Sequence, residues 1–139
     1  MTSPIFAPVV ALLLWTFVMW AWLYATRIPA MFRLKLVYDN TQPGEVCLGK
    51  FPPQVRWKAD NYNNLMQQPP MFYAVAIVLA LLGAGDGVNL GLAWAYVGIR
   101  VVHSLWHALF NIVEVRFVLF NLGSLVLLAL VVRAALVVF

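Results

Sequence analysis

The chain has 139 residues, 64% of them hydrophobic and 10% charged, with a mean hydropathy of +0.88. A soluble globular domain is about 45–50% apolar and about 25% charged, so these proportions exclude one, and the length fits a single domain spanning residues 1–139. The formal net charge is +4, but six of the nine Lys and Arg residues (Arg27, Arg33, Lys35, Lys50, Arg56 and Lys58) fall in one segment. That clustering is a signal of membrane topology and argues against a nucleic-acid partner, whose binding face would spread its basic residues. With Cys47 as its one cysteine, the chain has neither an intrachain disulfide nor a multi-cysteine metal cluster.

Ile5 to Tyr24 is an apolar run of 20 residues, the length needed to cross about 30 Å of hydrocarbon, and it predicts the first membrane span. It has no basic start and exceeds the apolar core of a secretory signal, so it is expected to be retained. Arg27 to Asp60 combines the basic cluster with Pro43, Gly44, Pro52 and Pro53 and reads as the one long polar loop. The alternation Met31-Phe32-Arg33-Leu34-Lys35-Leu36 would let the first helix continue into the headgroup layer. A second span, Asn61 to Gly85, starts with amides and turns apolar after Pro69-Pro70. Those prolines either open the helix or kink it. Gly83 to Gly87 forms a tight turn, the third span runs from about Val88 to Asn111, and the fourth from about Arg116 to Phe139. By the positive-inside rule the 27–60 segment is cytoplasmic and both termini face outward.

The third span carries Arg100, His103, Ser104, His107 and Asn111, with 100, 104, 107 and 111 at the spacing of one helix face. An arginine near a helix midpoint costs at least about 2.5–3.5 kcal/mol in lipid, so Arg100 must face protein or water. Asn61, Asn64 and Gln68 share a face of the second span at the same depth, and Arg116 opens the fourth. Together they outline a net-positive pocket suited to an anion. The plainer readings are interhelical hydrogen-bond glue for the amides and Ser104, an interfacial anchor for Arg116, and a snorkelling anchor for Arg133. His103 and His107, four residues apart, have no carboxylate or cysteine beside them in the spans, so no metal is expected.

Two stretches resemble the MAPEG superfamily, the membrane-associated proteins in eicosanoid and glutathione metabolism, in the form of a bacterial-type member. Asp60-Asn61-Tyr62-Asn63-Asn64-Leu65-Met66-Gln67-Gln68-Pro69-Pro70-Met71-Phe72-Tyr73 is similar to the family's Asn-x-x-Glu followed shortly by proline. Gly98-Ile99-Arg100-Val101-Val102-His103-Ser104-Leu105-Trp106-His107 is similar to its third-helix Arg-x-x-His-[Thr/Ser] pattern. The resemblance implies an all-α integral membrane protein, a four-helix bundle assembling as a homotrimer, with glutathione as co-substrate between neighbouring subunits. It places Asn64, Gln67, Arg100, His103, Ser104 and His107 among the substrate-binding residues and Arg116 in the catalytic, thiolate-stabilising place. Gln67 replaces the family's carboxylate, Asp60 a basic residue, His107 a tyrosine, and Phe117 and Phe120 stand where some members carry hydroxyls.

The expected function is that of a membrane-embedded glutathione-dependent transferase or peroxidase acting on a lipophilic electrophile or hydroperoxide. It would sit among membrane lipids, in a bacterial inner membrane. The rival is a non-catalytic bundle whose pocket holds a lipid headgroup or another anion, which the missing carboxylate at Gln67 favours. A small transporter or channel subunit is disfavoured by the apolar outer halves of the spans.

Overall fold

The computed structural model describes residues 2–35, 41 and 49–139. Among them the chain forms five α-helices and no strand: α1 Phe6–Leu34, α2 Pro53–Asn64, α3 Pro69–Leu81, α4 Gly87–Leu109 and α5 Val113–Val138. The sequence reading of 36–40 and 42–48, including Pro43, Gly44 and Cys47, lies outside the described residues.

The boundaries of the basic segment need correcting. α1 runs ten residues past Tyr24, so that Arg27 and Arg33 are helical. It passes through Pro29, which withdraws the donor for the Ala25 carbonyl. It stops at Lys35, whose left-handed backbone (φ 50°) turns its N–H back to the carbonyls of Met31 and Phe32. Nor do residues 53–60 belong to a loop. Pro53 stands at the first helical position, where its missing N–H costs nothing, and it opens α2. Val55, Lys58 and Ala59 are buried at helical spacing, and Val55 joins Ala30 and Phe51 in a small apolar cluster that ties α2 to the end of α1.

Pro69-Pro70 repeats the device by opening α3. With no N–H on either proline, the carbonyls of Leu65 and Met66 lose their usual donors, and the chain crosses from α2 to α3 through a four-residue break. The predicted second span is therefore two helices in succession. Gly83 (φ 72°) and Gly87 (φ 56°) take left-handed conformations that L side chains resist, which makes the α3–α4 turn. A second short connection, 110–112, folds α5 back along α4, and these two helices form the most extensive pair in the molecule.

α1, α3, α4 and α5 close around a core that includes Ile5, Leu12, Phe72, Leu79, Tyr96 and Leu130, with the Phe72 and Tyr96 rings stacked at 4.7 Å. Large apolar side chains also cover the outside: Leu14 and Phe17 on α1, Leu81 on α3, and Phe117, Leu125 and Leu136 on α5. α1 and α5 are long and apolar enough to cross a membrane.

Candidate functional site

α2 and the break after it run antiparallel to α4, and their polar side chains meet rung by rung. Ser104 Oγ donates to Asn61 Oδ1 at 2.8 Å, Arg100 Nη2 to Asn64 Oδ1 at 2.7 Å, and the Tyr96 hydroxyl to Gln68 Oε1 at 3.1 Å. Steps of three and four residues on the α2 side and of four residues on the α4 side keep the rungs of this ladder on facing sides. The amide face and the arginine face expected from the sequence thus stand against each other. Tyr96, which completes the ladder, could have been found by continuing the 100–104 face one turn toward the N-terminus.

Arg100 is the largest fully buried side chain, with 1% of its surface exposed. Nη2 is held by Asn64, through Oδ1 and more distantly through its carbonyl at 3.4 Å, while Nε and Nη1 are buried with no hydrogen-bond partner. No carboxylate pairs with it among the described residues. A buried guanidinium with two free donors is costly on its own and is matched electrostatically only by an anion.

Beside it, Asn64, His103, Val113, Arg116, Phe117 and Phe120 line a cavity of about 220 Å³. Asn64 serves both features, since it lines the cavity and holds Arg100. His103 and His107 are buried, with rings edge to face at 5.9 Å and both Nδ1 atoms unpartnered. Among the described residues no three His, Cys, Asp or Glu side chains gather to hold a metal ion.

Arg116 is half-buried in the first turn of α5. Its Nη1 donates to Asn111 Oδ1 at 2.6 Å and its Nε has no partner. Asn111 does not extend the face of α4, as its spacing suggested. The helix ends at Leu109, and Asn111 takes a left-handed backbone (φ 54°), a conformation asparagine tolerates, from which it fixes Arg116. Gln67 is exposed on the break and lies apart from the cavity lining. Gln68 turns inward instead, its Nε2 donating to Ser124 Oγ on α5 at 2.8 Å. Ser104 and His107 are buried on the same α4 face, Ser104 committed to Asn61.

A model of the MAPEG family matches residues 5–136, nearly the whole chain. The chain belongs to the MAPEG family. MAPEG proteins are membrane-associated and include glutathione transferases and peroxidases as well as non-catalytic members. No curated protein and no solved structure matches the chain.

A second cavity of about 450 Å³ lies between α1 and α2, lined among others by Tyr24, Arg27, Arg56, Asp60 and Tyr62. Arg27 stands over the Phe51 ring at 5.5 Å and Lys58 Nζ over the Trp22 ring at 5.1 Å. Burial holds the Lys58 ammonium below the usual lysine range. At the opposite end of the bundle Arg133 is more than an anchor. Its Nε donates to Asn89 Oδ1, and Asn89 Nδ2 donates to the Ala84 carbonyl at 2.8 Å, tying α5 to the α3–α4 turn.

Proposed function

We propose that this MAPEG protein is a membrane-embedded, glutathione-dependent transferase or peroxidase acting on a lipophilic electrophile or hydroperoxide. The carrying observation is Arg100, buried with two free donors beside a cavity whose other wall carries Arg116. In this reading Arg100 holds a glutathione carboxylate, and Arg116 stabilises the thiolate through its unpartnered Nε. A free thiol has a pKa of about 8.5, and a guanidinium in a partly desolvated site favours the anion without a dedicated base. The thiolate sulfur attacks the electrophile, forming a carbon–sulfur bond as the leaving group departs with its electron pair. With a hydroperoxide it attacks the terminal oxygen, an S–O bond forms as the O–O bond breaks, the alkoxide takes up a proton, and a second glutathione converts the sulfenic acid so formed to the disulfide and water. Asn64, His103, Ser104 and His107 would orient the tripeptide.

Ligand pockets generally have about 300–1,000 Å³, whereas the Arg116 cavity has about 220 Å³. One subunit therefore offers part of a site, which supports a homotrimer with the remaining wall supplied by a neighbour. The outward apolar faces of α1 and α5 support four legs crossing the bilayer, the second running from Asn61 at the end of α2 through α3, and lipid reaching the site from the side. The basic segment would lie on the cytoplasmic face of a bacterial inner membrane.

A second reading, a non-catalytic bundle holding a lipid headgroup or other anion, is favoured by one feature: among the described residues, no carboxylate lines the cavity to meet an amino group. The two separate on two variants. Arg116→Ala should leave glutathione affinity within about threefold of wild type and abolish the ultraviolet absorbance of bound thiolate. Arg100→Ala should weaken binding by about 1.5–3 kcal/mol, the worth of a hydrogen bond to a charged group. Thiolate absorbance absent from wild type as well would favour the non-catalytic bundle.

A further inference from the structure

Gln68 lies in the break between α2 and α3, and both ends of its amide are engaged. Oε1 accepts from the Tyr96 hydroxyl at 3.1 Å, and Nε2 donates to Ser124 Oγ at 2.8 Å. Ser124 spends its own proton on the Phe120 carbonyl at 2.8 Å, which leaves its lone pair to accept from Gln68 and fixes which way the amide points.

Each of the three residues is four positions from a member of the site. Asn64 precedes Gln68, Arg100 follows Tyr96, and Phe120 precedes Ser124. Asn64 and Phe120 line the cavity, and Arg100 is bonded to Asn64. The hydrogen-bonded triad therefore joins, one step below the cavity, the three chain segments that form its walls. The break makes such a tie necessary. Where Pro69 and Pro70 remove the helical hydrogen bonds, the backbone alone does not set the position of Asn64 relative to α4 and α5.

We propose that Gln68 is a positioning residue that holds the Asn64–Arg100 wall and the Arg116 wall at the spacing needed for an extended anionic thiol. This rests on the glutathione reading above. The triad touches no substrate and acts through the geometry of the two arginines. Loss of either hydrogen bond lets the α2–α3 break shift, and the carboxylate site and the thiolate site then no longer fit one ligand.

The test compares wild type with Gln68→Leu, Tyr96→Phe, Ser124→Ala and the Tyr96→Phe/Ser124→Ala double variant, all in detergent with glutathione as the probe. Calorimetry gives affinity, and the pH midpoint of thiolate absorbance gives the thiol's titration. Each single partner variant should weaken binding by about threefold to tenfold, one hydrogen bond's worth, and move the thiolate midpoint up toward the free value. The double variant should match Gln68→Leu. If Gln68→Leu does not fold, the two partner variants carry the comparison. Variants that melt at lower temperature yet keep wild-type affinity and midpoint would overturn the proposal and leave the triad a plain structural tie. Wild type that binds no glutathione would overturn the reading of the site, and the positioning role with it.

Discussion

The Asn64–Arg100 pair separates stability from function, and the two substitutions should move stability in opposite directions. In Asn64→Leu, Arg100 loses its 2.7 Å acceptor and keeps only the Asn64 carbonyl at 3.4 Å. A hydrogen bond to a charged group is worth about 1.5–3 kcal/mol, and here the bereft guanidinium stays buried. For a chain of this size that loss is a fall in melting temperature of roughly 5–12 °C. Arg100→Met removes the buried charge itself and fills the space with an apolar chain. Replacing an under-paired buried ion in this way is neutral or stabilising by about 1–4 kcal/mol. The Asn64→Leu/Arg100→Met double variant should recover most of the stability lost in Asn64→Leu, because the orphaned charge is gone. Thermal unfolding of all four proteins in one mild detergent, followed by tryptophan fluorescence without ligand, measures this directly. Arg100→Met melting well below wild type, with Asn64→Leu unchanged, would refute the reasoning and make Arg100 a structural strut.

Asn89→Leu removes the acceptor of Arg133 and the donor to Ala84, so it should lower the melting temperature by several degrees, about 1.5–3 kcal/mol. Glutathione affinity, set at the other end of the bundle, should stay unchanged in calorimetry. Lys58 has its folded-state pKa lowered by burial, while the unfolded value is about 10.4. Between those values the unfolded chain binds more protons, so wild-type stability should rise with pH through that window. Lys58→Met lacks this term, and its gain over wild type in melting scans should shrink between pH 7 and pH 10.5. Native mass spectrometry from mild detergent should show mainly trimer, and mainly monomer would count against a shared site.

The apolar run from Ile5, the glycine turn at 83–87 and the polar face at Arg100, Ser104 and His107 were legible because each is a local pattern of periodicity or composition. The end of α1 was harder to place. Arg27 and Arg33 read as loop by charge, whereas in a helix their long stems cover apolar neighbours, as Arg27 covers Phe51. α2 was hidden by its prolines, which signal a loop by composition and a helix start by position. Within the site, the facing of Asn61 and Asn64 with Ser104 and Arg100 followed from matched depth in antiparallel helices. Spacing put Gln68 on the face of Asn61 and Asn64, where the ladder has it, whereas Gln67 entered the candidate site only through the family resemblance and is exposed. Tyr96 was missed because its ring packs on Phe72 as core while only its hydroxyl joins the ladder. Asn111 left its helix face because the α4–α5 connection needs a left-handed residue there.

A single titration decides whether the cation-lined site takes a thiolate. Wild-type protein in mild detergent is titrated with glutathione up to millimolar concentration, with calorimetric heat and thiolate absorbance recorded on the same sample. The proposed function predicts saturable heat together with a rise in ultraviolet absorbance at neutral pH, stoichiometric with the sites. Neither heat nor thiolate absorbance at millimolar glutathione would contradict it.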